Sequence, residues 1–275
     1  MTLSRMIRIP TTKDTDGYRL KRCYRVSFSG STKGFPMSKP IDKPLSESLE
    51  SGDGFVAPRY RSGQRSADAL LEAGRALLVE ISYEALSIND LCAEADLTKG
   101  AFYRRFESKD AFFLALQRLA LDDAQRVQQA LEQALARTDG TPATFAECAI
   151  EVVEAVRLWH LRHRGVIRAS LQRRDHTSEG WQPFKAFARG FVEDMATHLT
   201  RLPELRRNKR AAERLTVAFQ TVIATMINAA LNDPGPLSLA DAAMTEALAE
   251  MLVLYVTSSA ADAVKRSPAG TAPKS

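Results

Sequence analysis

The chain has 275 residues, of which 45% are hydrophobic and 26% charged, and it carries a net charge of +5. This is an ordinary soluble globular composition, long enough for one large domain or two small ones. The three cysteines, Cys23, Cys92 and Cys148, are widely separated and odd in number, so we expect no disulfide framework and a cytoplasmic location. No phosphate-binding loop, nucleophile elbow or paired-cysteine motif occurs, and nothing predicts catalysis, a metal or a cofactor.

The positive charge is concentrated in the first 36 residues, which hold eight Lys or Arg and two Asp side chains. Residues 37–275 therefore have a net charge of −1, so the basic character is no argument for nucleic-acid binding by the rest of the chain. Met37 opens a polar segment rich in Pro, Ser and Gly, which makes it an alternative natural start to Met1. We expect residues 1–60 to be a disordered extension.

The next segment predicts two helices. Apolar residues recur at helical spacing from Ala67 to Ile81, which favours a helix of about five turns with one buried face. Ser87 is followed three residues later by Asp90, a capping-box pattern in which both side chains satisfy exposed amides at a helix start. A short second helix is therefore predicted over Ile88–Glu94.

Two further helices follow a tight turn at residues 95–97. The turn calls for a left-handed backbone conformation at Asp96, which this residue type tolerates. Thr98 is the predicted N-cap of a third helix that ends near Phe106. Ser108 is the predicted N-cap of a fourth helix that ends near Ala136.

The chain beyond residue 141 contains long apolar-periodic segments, and no segment alternates as a strand would, so we predict an all-α fold. Turn signals at residues 163–165, 174–176, 202–203 and 232–236 are expected to separate the helices. The last two helices are predicted over about 204–231 and 239–264, with wide apolar faces that suit a four-helix dimer interface. The apolar run 215–232 is expected to be a buried helix rather than a membrane span, and 265–275 a disordered tail.

Two short helices joined by a short turn form a helix-turn-helix, whose second helix can enter the major groove of DNA. Phe102 and Phe106 share a face that should pack inward, whereas Lys99 and Tyr103 share another. Lys99 can donate to a guanine and Ala101 can contact a thymine methyl. Phosphate contacts are predicted for Thr98, Tyr103, Arg104 and Lys109, and Gly100 permits close backbone approach. The predicted DNA-binding set is Thr98, Lys99, Gly100, Ala101, Tyr103, Arg104, Lys109, Ser87 and Arg65.

Three arginines before and within the first helix, Arg59, Arg61 and Arg65, allow two interpretations. They can supply phosphate or minor-groove contacts, or they can be part of a solvated linker. The local charge count gives no preference, because residues 61–113 hold seven Lys or Arg and nine Asp or Glu side chains. The DNA-binding interpretation depends on the placement of individual cations, not on net charge.

The run ALLEAGRALL together with YEALSINDLCAEADLTKGAFYRRFESKDAFF, within residues 65–113, closely resembles the N-terminal domain of the TetR family of bacterial repressors. The resemblance implies a homodimer in which residues 61–107 bind DNA and residues 108–264 form a helical ligand-binding and dimerisation domain. It also implies phosphate contacts by Tyr103 and Lys109 and base contacts by Lys99 and Ala101. The chain departs from the family pattern at Ser82, Asp96 and Arg105.

A ligand pocket between the middle helices is implied by the same resemblance. Aromatic residues at helical spacing are more typical of a packed core, so both interpretations stay open. His160 and His163 are one turn apart, but no third metal ligand is near them in the sequence. A basic cluster that includes Arg164 and Arg168 can attract an anionic effector or be a solvated face. The predicted ligand-binding residues are Trp159, His160, Trp181, Phe184 and Phe187.

The sequence therefore predicts a ligand-responsive transcriptional regulator, a repressor that a small molecule releases from a palindromic operator. Its expected partners are double-stranded operator DNA, an unknown small-molecule effector and a second copy of the chain, with no membrane. The alternative is a helical ligand-binding or adaptor dimer without operator-specific DNA binding.

Overall fold

The computed structural model describes residues 45–136, 143–173 and 181–258, which contain one short 3-10 helix and eight α-helices. No strand occurs in these ranges, which confirms the all-α prediction. The predicted start at Met37, the turn at 174–176 and the tail 265–275 lie outside the described residues. The elements are the 3-10 helix Leu45–Ser48, α1 Arg61–Glu80, α2 Ile88–Glu94, α3 Lys99–Tyr103, α4 Lys109–Leu135, α5 Phe145–Gln172, α6 Gln182–Leu199, α7 Ala211–Asn232 and α8 Ala243–Thr257.

The starts of α2, α3 and α4 agree with the sequence pattern because each has an N-cap side chain. Ser87, Thr98 and Ser108 accept hydrogen bonds from backbone amides of the first turns, which satisfies donors that have no partner inside the helix. Asp96 has the expected left-handed conformation, with φ +51°. The prediction that α3 continues to Phe106 is wrong, because the chain turns after Tyr103 and Phe106 pairs with Phe55 in an antiparallel bridge.

The expectation of a disordered extension up to residue 60 is wrong for residues 45–60, which fold back onto α1 and α4. Leu49 and Phe55 are buried at 7% and 3% exposure. The amide of Val56 donates to the Arg105 carbonyl at 2.8 Å, and the amide of Glu107 donates to the Gly54 carbonyl at 2.8 Å. Composition could not predict this order, because the backbone partners of Gly54 and Val56 lie about fifty residues further along the chain.

Two hydrophobic clusters organise the described helices. The first joins residues 45–57, α1–α4, the end of α5 and Phe184 at the start of α6. The second joins α5–α8 with the end of α4. The loop before α4 contains the predicted domain boundary at residue 107, yet the first cluster continues across it. The largest members of the first cluster are Leu70, Leu71, Leu78, Phe102, Phe106, Phe112, Phe113 and Leu116, and the second includes Phe145, Phe191, Met195, Leu215, Phe219, Met226 and Leu252.

Helix α5 is continuous through His163, Arg164 and Gly165, so the prediction of a turn at 163–165 is wrong. The glycine has a packing role there. A Cβ atom on residue 165 would lie 2.7 Å from the carbonyl carbon of Leu78 and 2.8 Å from the amide nitrogen of Val79. Glycine therefore lets α5 touch the backbone of α1, and this close contact outweighs the cost of about 1 kcal/mol of helix propensity.

The last two helices are shorter than their predicted spans at their N-terminal ends, because residues 204–210 form turns and α8 begins at Ala243. By length and composition α7 is the one described helix that could cross a membrane. Its apolar residues have another explanation, since Leu215, Phe219 and Met226 lie in the second cluster. Only 33% of its most apolar stretch is buried, however, so the prediction of a buried helix holds for one face of α7.

We predict that Gly165→Ala lowers the free energy of unfolding by about 1–3 kcal/mol, because the added methyl overlaps the α1 backbone. The matched control is Gly190→Ala in the middle of α6, where an added Cβ meets nothing within 4 Å. That variant is expected to gain about 0.5–1 kcal/mol from helix propensity. Urea unfolding of both variants measures the difference, and a destabilisation of equal size would contradict the packing role of Gly165.

Candidate nucleic-acid interface

Helix α3 is held in a fixed orientation by an aromatic core beneath it. The Phe102 ring centroid lies 5.5 Å from that of Phe106 and 5.8 Å from that of Phe112, and Phe106 meets Phe112 at 5.0 Å. All three rings are fully buried. The amide of Leu97 donates to the Cys92 carbonyl at 2.8 Å, so the turn between α2 and α3 is also fixed. The opposite face of α3 is presented to solvent on a rigid support.

That outer face carries the predicted contacts Thr98, Lys99, Gly100, Tyr103 and Arg104, which are all exposed. The Tyr103 side chain is 57% exposed, and its ring meets the Phe102 ring edge-on at 5.4 Å, which leaves the hydroxyl free to reach a phosphate. A Cβ on Gly100 would contact only Thr98 Oγ1, at 3.8 Å. No packing against the described residues therefore requires glycine at this position. Close approach by a ligand outside the chain gives a reason for it.

The structure does not support a base contact by Ala101. Its side chain is only 7% exposed, and its amide donates to the Thr98 hydroxyl at 3.3 Å. Ala101 follows the exposed Gly100, and the helical rotation between the two residues turns its side chain away from the exposed face. Little of its methyl group is therefore available to a thymine.

Ser87 is half-buried at the start of α2, and its hydroxyl has a partner. Ser87 Oγ donates to Asp90 Oδ2 at 2.6 Å and accepts from the Asp90 amide at 3.1 Å. The Ser87 amide also donates to Asp90 Oδ2 at 3.0 Å, which confirms the predicted capping box. The two hydrogen bonds that the Asp90 carboxylate accepts, from the hydroxyl and the amide of Ser87, hold its pKa below its ordinary value. Since the hydroxyl hydrogen is already donated, Ser87 can offer DNA only the acceptor side of its oxygen or the nearby helix start.

Lys109 has a structural role that the sequence pattern did not indicate. Its ammonium donates to the carbonyls of Tyr83 and Leu86 at 3.0 and 2.9 Å, and it lies 4.4 Å from the Tyr83 ring centroid. An ammonium has three N–H donors, so one remains for the predicted phosphate contact. With two of its three donors, Lys109 therefore holds the loop between α1 and α2 in place within the chain itself.

The start of α1 lies beside the turn that follows α3. The Arg105 guanidinium covers Gly63, where an added Cβ would overlap it, so Arg105 is engaged with α1. Arg65 is exposed, and Tyr60 is 78% exposed at the N-cap position of α1. This arrangement extends the exposed basic and aromatic surface of α3 toward the start of α1.

Helix α5 contacts α1 and the start of α4 through two arginines. Arg168 Nη2 donates to the carbonyls of Leu78 and Ile81 at 2.7 and 3.2 Å, which satisfies acceptors at the C-terminal end of α1. Arg173 Nη2 donates to Asp110 at 2.6 Å and lies over the Tyr83 ring at 4.4 Å. A motion of α5 along its axis would therefore move α1 and the start of α4.

The carboxylate of Asp110 is the shared acceptor at this junction. The Tyr83 hydroxyl donates to it at 2.6 Å. The Tyr83 hydrogen bond and the Arg173 guanidinium hold the pKa of Asp110 below its ordinary value, against a smaller opposing effect of burial. The carboxylate is therefore charged at neutral pH and holds the junction together.

The predicted ligand-binding aromatics do not form one group. Trp159 lies 6.3 Å from Phe184, which stacks on Trp181 at 5.0 Å, all within or against the first cluster. Phe187 instead packs against the second cluster. Trp159 Nε1 donates to the Ala120 carbonyl at 3.0 Å, so its polar atom is already paired. The group of Trp159, Trp181 and Phe184 is therefore a packed core contact in the described structure.

Two buried histidines beside Trp159 are neutral at pH 7. Burial lowers the pKa of His160 from 6.5 to about 4, against a raising effect of the Val156 carbonyl. Burial also lowers the pKa of His163, whose Nε2 donates to Asp123 at 2.8 Å. Burial by itself would raise the pKa of Asp123, but the hydrogen bond from His163 and the charge of Arg162 bring it below its ordinary value.

Among the residues that the structure describes, no group of three or more His, Cys, Asp or Glu side chains could hold a metal ion. His163 has Asp123 as its partner, while His160 Nδ1 lies 2.8 Å from the Val156 carbonyl. Cys92 and Cys148 are buried free thiols in different clusters.

Residues 70–116 match the family model of bacterial regulatory proteins of the tetR family. The HTH-type transcriptional repressor DhaR of Mycobacterium sp. (strain GP1) is 36% identical over 66 residues, which are 24% of this chain and 33% of that protein. The uncharacterized HTH-type transcriptional regulator YwcC of Bacillus subtilis (strain 168) is 41% identical over 49 residues, 18% of this chain and 22% of that protein. The match thus spans a third or less of these curated relatives.

The similarity in fold to solved structures covers more of the chain than the similarity in sequence to the curated relatives. The crystal structure of the TetR family transcriptional regulator PfmR from Thermus thermophilus aligns with a TM-score of 0.50 and 22% identity. The alignment covers 68% of this chain and 96% of that chain. At this identity the similarity establishes only the fold, a helix-turn-helix domain followed by a helical domain. The function has to be argued from the residues of the site.

We predict that the free energy of unfolding falls as the pH decreases from about 6.5 to about 4. The unfolded chain protonates His160 near pH 6.5, whereas the folded chain resists protonation until about pH 4, so acid favours unfolding. His160→Gln is expected to make the loss at pH 4 smaller by on the order of 3 kcal/mol. Denaturant unfolding across this pH range measures it, with His198→Gln as control. An unchanged pH dependence in His160→Gln would contradict the buried neutral ring.

Proposed function

We propose that this chain, whose residues 70–116 match the family model of tetR-family bacterial regulatory proteins, is a TetR-family regulator and a dimeric transcriptional repressor of the cytoplasm. In this proposal a small molecule releases it from a palindromic operator, and it has no catalytic role. The observation that carries the proposal is the outer face of α3, where exposed Lys99, Tyr103 and Arg104 surround a glycine that packing among the described residues does not require.

The residues of this face have separate roles in the proposal. Lys99 lies in the first turn of α3, where side chains reach base edges, and donates to a guanine. Thr98, Tyr103 and Arg104 bind phosphates, Gly100 allows the backbone to come close, and Lys109 adds its remaining N–H. Arg65 and the Ser87 helix start flank the same surface, while Ala101 is withdrawn from the base-reading set because it is buried.

Helices α7 and α8 provide the proposed dimer interface. Large apolar side chains remain exposed on both helices, with Val217 at 45%, Leu254 at 44% and Tyr255 at 36%. Exposed apolar residues on adjacent helices are typical of a surface that a partner covers. A two-fold dimer formed by two helices from each copy would place two α3 helices on half-sites about 34–36 Å apart.

Release of DNA requires that the effector and the operator favour different arrangements of the same helices. The proposed transmitting element is α5, because Arg168 and Arg173 hold the end of α1 and the start of α4. A small displacement of α5 would change the separation of the two α3 helices in the dimer.

We expect Lys99→Ala to weaken binding to the operator at least fivefold while binding to random DNA changes less than threefold, because a base contact is lost. Arg104→Ala should weaken both and reduce the slope of log affinity against log salt by about 1, because a phosphate contact is lost. Fluorescence anisotropy with DNA flanking its own gene, across a KCl series, measures both.

Lys185→Ala in α6 is the matched control, since it removes an exposed lysine from the C-terminal helices. Equal losses for Lys99→Ala and Arg104→Ala on both DNAs would contradict the separation of roles. Absence of saturable binding at physiological salt would favour the alternative, an adaptor dimer without operator-specific binding.

We also expect the double variant Val217→Glu and Leu254→Glu to be a monomer, because two charges on each copy would be buried in the interface. Native mass spectrometry at micromolar concentration reports the assembly. Leu114→Glu in α4, another exposed apolar position, should stay dimeric. A dimeric double variant would place the interface elsewhere.

A further inference from the structure

A cleft of about 410 Å³ lies where the end of α1, the middle of α5 and the segment between α7 and α8 meet. It is separate from the aromatic group around Trp159. Its walls are partly apolar and partly basic, and they include Val79, Leu161, Arg164, Arg168, Leu231 and Leu239. The volume lies in the range of small-molecule sites in proteins.

The basic wall has unused donors. Arg164 has no ion pair and no hydrogen bond from its side chain to any other residue in the part of the chain that the structure describes. Arg168 uses only Nη2, for the carbonyls of Leu78 and Ile81. Its Nε and Nη1 groups have no partner among the described residues, and a guanidinium carries five N–H donors in a planar fork. The two arginines are four residues apart on α5 and so share one face.

Among the described residues that line the cleft, one carries a carboxylate: Asp233, which ends α7 in a left-handed conformation. Two guanidinium groups and one carboxylate leave a net charge of +1 around the cleft. Apolar side chains from α5, α7 and the following segment line much of the remaining wall, together with the polar side chains of Asn232 and Ser238. This lining is complementary to a molecule with one negative charge and an apolar body.

We propose that the cleft binds a small monocarboxylate with an apolar body, whose carboxylate pairs with Arg164 and Arg168. Bidentate pairing of a carboxylate with a guanidinium uses two neighbouring nitrogen atoms. At Arg168 such pairing competes with the α1 carbonyls for Nη2. Binding therefore loosens the contact between α5 and α1 and lowers the affinity for DNA, an effect that rests on the proposed repressor function.

The test uses the full chain with sodium octanoate as the probe and octanol as the uncharged probe of equal chain length. Isothermal titration should show saturable binding of octanoate, and octanol should bind at least tenfold more weakly. Arg164→Gln should weaken octanoate binding at least tenfold. Arg189→Gln, which removes an exposed arginine from α6, should leave it unchanged.

A second variant guards against misfolding of Arg164→Gln. Ala230→Leu adds volume to the cleft wall without altering a charge, and it should also weaken octanoate binding at least tenfold. Equal affinity for octanoate and octanol, or binding that survives both variants, would overturn the site. Octanoate binding with unchanged operator affinity would overturn the coupling to DNA. Lack of operator binding by the ligand-free chain would instead count against the proposed function, so the two failures are distinguishable.

Discussion

Helix α5 can lie directly on α1 because residue 165 has no side chain. A Cβ at this position would overlap the backbone at Leu78 and Val79, so a larger residue would force the helices apart. The same approach brings Arg168 within reach of the last carbonyls of α1. Gly165 therefore sets the distance between the two helices. Arg168 fixes the position of α5 along α1, because its hydrogen bonds form at only one register of the two helices.

The middle of α5 also organises the C-terminal helices, through a buried arginine. Arg157 is only 4% exposed and donates to Glu154, to the Thr245 hydroxyl at 2.8 Å and to the Leu239 carbonyl. Burying a guanidinium is costly unless its donors are paired, and here they reach both α8 and the segment before it. One helix therefore joins the helices proposed to bind DNA at its C-terminal end and the proposed dimer helices at its middle.

The surface proposed for DNA depends on this rigid support rather than on net charge. Three closely packed phenylalanines fix α3 from below, and Lys109 fixes the neighbouring loop by charge-assisted hydrogen bonds. Such bonds are each worth about 1.5–3 kcal/mol. Residues 45–60 add a further support through the pairing of Phe55 with Phe106. A few exposed side chains can then be held at the spacing of a groove.

The sequence by itself determined the features that depend on local interactions. These are the all-α class, the N-caps Ser87, Thr98 and Ser108, the left-handed conformation of Asp96 and the inward face of Phe102 and Phe106. These features depend on residues at most a few positions apart. Tertiary structure decided the rest, namely the ordered segment 45–60, the burial of Ala101, the hydrogen bonds of Lys109 and the continuity of α5 through Gly165. Each of these depends on a partner far away in the chain, and a glycine that ends a helix looks the same in a sequence as one that lets two helices touch.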